Sequence, residues 1–141
     1  MRIYQKLVSR KQRQITNDQQ DVKQSEDDFD YQSLIAMNSD CVGWIQIPGT
    51  DINYPVVQAA DNEFYLTHNF NRETAACGAI FMDYRNDVDA KAEHLILYGH
   101  QMKDNSMFKQ LNGYKEEIFY KEHPNIKLYL HEQKYEYEIT A

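Results

Sequence analysis

Six short runs of β-branched, aromatic and aliphatic residues constrain this chain more than anything else in it. They fall at residues 42–47, 52–57, 78–82, 94–98, 126–130 and 135–139, with turn signals between them. Runs of this length and composition read as strands, and six at close spacing predict a barrel or a sandwich. The expected fold is therefore mainly β, with short helices between strands. Pro48-Gly49 ends the first run as a turn. Pro55 lacks a ladder donor, so the second strand is expected at an edge or a bend. Residues 61–66 read as a helical turn capped by Asp61, which puts Asn62 and Leu66 on one face. A short helix is expected over 106–111, capped by Asn105 or Ser106, and another over 116–122, stopped before Pro124. His131 to Lys134 suit a hairpin.

The first 38 residues have a different character. Residues 1–15 hold Arg2, Lys6, Arg10, Lys11 and Arg13 and no acid, whereas residues 16–30 hold six acids against Lys23 alone. Ile3, Tyr4, Leu7 and Val8 could share a short helical face. This segment reads as a weak helix or a stalk, and its basic start suits a membrane surface or a solvated linker equally. A second helix is expected over 29–37, with Phe29, Leu34, Ile35 and Met37 making apolar contacts. The expected division is a helical or stalk segment over 1–38 and a β domain over 39–141.

At 141 residues the chain is long enough for one domain with a core. The net charge of −7 argues against a nucleic-acid partner. No apolar run is long enough to span a bilayer, and no signal peptide is evident, so the chain as given reads as soluble. The two cysteines, Cys41 and Cys77, form no CxxC and no zinc-type spacing with histidines. They read best as unpaired residues, although a disulfide is open to them. No cofactor is expected.

Chemistry concentrates in His94-Leu-Ile-Leu-Tyr-Gly-His100. Alternation along a strand places His94, Ile96, Tyr98 and His100 on one side and Leu95 and Leu97 on the other. Gly99 is expected to break the strand, leaving His100 at its exit, a plausible position for proton transfer. His68, His123 and His131 read as surface residues. Asp83, Arg85 and Asp87 could suggest a metal or carboxylate site, but a solvated loop is the better reading of them. A metal-dependent hydrolase using His94, His100 and acids from 83 to 89 fits no known ligand spacing.

Several stretches, taken in order, resemble the sortases, and class B sortases most closely. They are Val42-Gly-Trp-Ile-Gln-Ile-Pro-Gly-Thr50, Tyr54-Pro-Val-Val-Gln58, Asp61-Asn-Glu-Phe-Tyr-Leu66, Gly78-Ala-Ile-Phe-Met-Asp-Tyr-Arg-Asn86 and Leu97-Tyr-Gly-His-Gln-Met102, followed by Asn105-Ser-Met-Phe108. The resemblance implies an eight-stranded β-barrel with N-terminal helices, of which about six strands are present. It implies a cysteine transpeptidase at the outer face of a Gram-positive cell, membrane-bound only through an anchor absent from this chain. Its implied partners are a sorting-signal peptide of the Asn-Pro-x-Thr type and an amine on a cell-wall precursor or a pilin. The catalytic histidine maps onto His100, and signal contacts map onto Asn62, Leu66 and Tyr98. The family's nucleophilic cysteine lies in a Thr-Leu-x-Thr-Cys strand after the histidine, with an arginine on the next strand. Neither occurs here, and neither Cys41 nor Cys77 matches the nucleophile. The chain is thus expected to be the N-terminal part of the domain, inactive alone, with an open barrel edge. A non-catalytic signal-binding module is the alternative.

Overall fold

The computed structural model describes residues 4–10, 13–15, 30–87, 94–131 and 133–138. All six expected strands form: β3 (Cys41–Gln46), β4 (Asn53–Val57), β5 (Ile80–Met82), β6 (His94–His100), β7 (Asn125–Leu130) and β8 (Gln133–Glu138). Two short strands, β1 (Tyr4–Arg10) and β2 (Arg13–Ile15), precede them. One sheet contains all eight, in the order β1-β6-β5-β4-β3-β7-β8-β2. Every pairing is antiparallel except β4 with β5. A parallel pair needs a crossover, and residues 58–79 supply it.

Alternation decides which side chains go inside. Ile45, Val56, Ile80, Met82, Leu95, Leu97, Ile126 and Leu128 line the inner face of the curled sheet, where Met107 and Phe108 join them. Each side chain buried to this degree contributes about 1.5–3 kcal/mol of transfer free energy. Val57, Phe81 and Tyr98 point the other way. They form a second cluster with Tyr65 and Ala79, beneath the crossover. Gly78 turns the chain there with φ +60°, and a Cβ on it would meet the Tyr65 carbonyl oxygen at 2.4 Å.

The N-terminal segment departs from expectation. Residues read as a weak helix or stalk are strand at 4–10 and 13–15. β1 runs the length of β6, with Tyr4 opposite His100 and Arg10 opposite His94. β2 pairs with β8 at the far end of the sheet, with Arg13 opposite Glu136. Only residues 11–12 separate them, a span of at most about 11 Å between Arg10 and Arg13. One segment thus pairs both edges of the six-strand sheet, and the edge expected to lie open is occupied. Unpaired edge groups seek partners, and this segment supplies them.

Other local expectations also need correction. α1 spans Tyr31–Met37, with the Asp30 carboxylate accepting from the Ser33 amide, but none of its residues is buried and Met37 is 63% exposed. Phe29 lies outside the described residues. Pro55 is not on an edge strand. β5 reaches only Val56 and Val57, so on that side there is no ladder for Pro55 to interrupt. The hairpin loop is shorter than expected, with His131 at φ +55°. Instead of a helix over 106–111, a 3-10 helix runs over Lys109–Lys115. Asp104, not Asn105 or Ser106, accepts at the preceding turn. α2 (Glu117–Glu122) stops before Pro124 as expected.

Gly99 does not end β6, which continues to His100. Its missing side chain is what lets the core close. A Cβ there would lie 2.5 Å from Ile80 Cδ1 and 2.7 Å from the Phe108 ring. Replacing Gly99 by Ala is therefore expected to overpack this point and cost about 1–3 kcal/mol. A urea-denaturation midpoint equal to that of the parent would show that Phe108 gives way instead.

Candidate active site

His100 sits at the last position of β6 with its ring buried, 5% exposed. Its backbone carbonyl accepts the Phe108 amide at 2.8 Å, and a bridge between Gln101 and Met107 closes the loop behind it. Tyr54 Oη accepts the Met107 amide at 2.8 Å, and Asn112 Nδ2 donates to Gln101 Oε1 at 2.9 Å. The loop doubles back with Asn105 and Met107 both in the left-handed region. These contacts fix the backbone from which the His100 side chain projects.

Tyr98 lies two residues earlier on the same side of β6. Its ring stacks on Phe81 at 5.0 Å. Leu66, at the end of the 3-10 turn Phe64–Leu66, packs against the same outer cluster. Asp61 Oδ1 accepts the Glu63 and Phe64 amides, which sets up that turn. Asn62 precedes it. Asn62 and Tyr98 converge on one atom, Asp83 Oδ2, each donating to it at 3.0 Å. The structure thus gathers Asn62, Leu66 and Tyr98 beside β6, on the side that also carries His100.

Asp83 departs from expectation: its sequence context predicts a solvated loop, yet it is 1% exposed. Its Oδ1 accepts the Arg85 amide and Nε, each at 2.9 Å, and its Oδ2 accepts Arg85 Nη2 at 2.8 Å. Arg85 hydrogen bonding, helped by Tyr98 and Asn62, holds this carboxyl far below the usual carboxylate range, against the opposing effect of burial. Gln58 Nε2 donates to the Asp83 and Asn86 carbonyls, and Asn86 Oδ1 accepts the Ile96 amide, fastening the turn to β6. No local pattern announces such a residue, because an Asp after a strand is usually a turn former.

The two cysteines are free thiols. Cys41 is buried, its Sγ directed at the Gly43 carbonyl, and burial pushes its thiol pKa up. Cys77 Sγ is directed at the Gly78 carbonyl. A raised thiol pKa opposes thiolate formation, so Cys41 is poorly suited to nucleophilic attack. Among the described residues no group of three or more potential metal ligands is gathered, and no helix is long and apolar enough to cross a membrane.

Residues 45–141 match the Sortase domain family, and the chain belongs to that family. Within it, the chain is similar to proteins named sortase B. It is 44% identical to sortase B of Listeria monocytogenes over 108 residues, covering 77% of this chain and 44% of that protein. It is 38% identical to sortase B of Staphylococcus aureus over 138 residues, covering 98% of this chain and 54% of that one. Its fold is similar to a Staphylococcus aureus sortase B–substrate complex, with TM-score 0.73 and 41% identity, covering 79% of this chain and 51% of that chain. The chain thus spans about half the length of the relatives it matches.

The depressed Asp83 pKa has a definite sign. The folded value lies below the unfolded value of about 3.9, so the ionised carboxylate stabilises the fold above pH ~4, and this is lost as pH falls toward the folded value. Melting temperature is expected to drop with acidification below pH ~4. In Asp83→Asn that portion of the profile should flatten, with about 1–3 kcal/mol lost at neutral pH. Parallel profiles for parent and variant would contradict this.

Proposed function

We propose that this chain is the histidine-bearing and signal-recognising part of a class B sortase-type cysteine transpeptidase, with residues 39–141 as its share of the catalytic domain. The observation that carries the reading is the gathering of Asn62, Leu66 and Tyr98 on the side of β6 that ends in His100. In such a reaction a thiolate attacks the signal's peptide carbonyl, and His100 protonates the departing amine. A second amine then takes the acyl group, and His100 accepts its proton. The substrate would be a sorting signal of the Asn-Pro-x-Thr type on a secreted protein. The acceptor would be an amine on a cell-wall precursor or pilin at the outer face of a Gram-positive cell. Neither Cys41 nor Cys77 is assigned the nucleophile's role, so the chain by itself should bind the signal without cutting it.

Titration of the chain with an Asn-Pro-x-Thr peptide is expected to show saturable binding. Asn62→Ala and Leu66→Ala should each weaken it by about tenfold, whereas His100→Ala should leave it within about threefold. Peptide cleavage by the isolated chain, abolished by His100→Ala, would overturn the statement that it cannot complete the chemistry. Absence of binding would overturn the recognition reading.

A further inference from the structure

An ionised carboxylate can only accept hydrogen bonds, so every group aimed at Asp83 must present a hydrogen. For Asn62 this, together with the Tyr84 backbone N–H, decides which way round the side-chain amide lies. Nδ2 faces Asp83 Oδ2 at 3.0 Å, while Oδ1, on the opposite side, accepts the Tyr84 amide at 2.9 Å. The half-buried amide has one further N–H and one further lone pair beyond these two bonds. Adjacent donor and acceptor capacity matches another amide, either a peptide unit or a carboxamide side chain. It does not match a carboxylate, which brings two acceptors, or an ammonium, which brings only donors. Tyr98 is oriented by the same oxygen, since its hydroxyl hydrogen is directed at Asp83 Oδ2.

We propose that Asp83 is the positioning residue of the recognition groove. It holds the Asn62 amide in one orientation, so that the groove selects an amide group of the signal over its carboxylate counterpart. This assignment rests on reading Asn62 and Tyr98 as signal contacts. Arg85 already meets both oxygens of Asp83 from a largely exposed position, with 67% of its side chain accessible. The two bonds from the candidate contacts are additional, and both fall on Oδ2.

The test uses the full chain and two peptides, one beginning Asn-Pro-x-Thr and one with Asp in place of the Asn, with affinity measured by calorimetry. The parent is expected to prefer the amide peptide by at least about tenfold, the size of one mismatched buried hydrogen bond. Asp83→Asn has nearly the same shape but can present either a donor or an acceptor to Asn62. Its preference should shrink to within about threefold. Arg85→Ala loosens the same cluster yet keeps the carboxylate acceptor-only, so the preference should survive. Asn62→Ala removes the oriented amide and should abolish the preference even if Asp83→Asn does not fold. In the double variant the two changes should not add.

If the parent binds neither peptide, the functional reading itself fails and this inference with it. If the parent binds but shows no preference, the inference alone fails. It also fails if Asp83→Asn keeps the preference, or if Arg85→Ala loses it equally.

Discussion

A carboxylate removed from water has to be supplied with hydrogens, and much of the site is arranged around meeting that need for Asp83. Five donors reach its two oxygens: the Arg85 amide, Nε and Nη2, the Asn62 amide nitrogen and the Tyr98 hydroxyl. They come from the turn after β5, from the start of the crossover and from β6. A single buried charge therefore joins the three pieces of chain that flank the candidate groove. Such a group is costly when left unsatisfied, so the turn, the crossover and the strand have to adopt compatible positions together.

The apolar framework makes this possible. β6 carries alternate residues to opposite faces: Leu95 and Leu97 close the inner core, while Tyr98 joins the outer cluster over Phe81. Gly99 lets Phe108 press against the strand, and the same contact brings the Phe108 amide to the His100 carbonyl. Packing on one side of the sheet thus sets the backbone from which the histidine projects on the other. On the remaining flank of β6, residues 4–10 complete the hydrogen-bond ladder. The sheet of β3 to β8 is thus paired at both edges by the N-terminal segment.

The strands were legible because their signal is local. Period-two alternation, turn residues and helix stops lie within a few residues of one another, and all six expected strands formed, with α2 ending before Pro124. His100, Asn62, Leu66 and Tyr98 were singled out through ordered motifs, and the fold brings the last three together. Legibility failed where the deciding partner was distant. Taken as an isolated strand, β4 with Pro55 predicts an edge or a bend, and only the short reach of β5 explains why the proline is tolerated inside the sheet. The basic N-terminal residues contained a plausible helical face, yet pairing with two sheet edges outweighed that weak preference. Such tertiary override is common for short segments with marginal intrinsic propensity.

The sequence by itself determined six of the eight strands, the faces of β6 and the family to which the chain belongs, since each follows from neighbouring residues or from their order. Only the tertiary structure decided that Asp83 is buried, that Asn62 and Tyr98 share its Oδ2, and that one N-terminal segment pairs both ends of the sheet. Asn62 and Asp83 are 21 positions apart, and Tyr98 and Asp83 are 15 apart. The physical reason is that burial and hydrogen-bond polarity are properties of the assembled fold. An aspartate in a polar stretch looks solvated until the chain on either side of it folds back and removes the water.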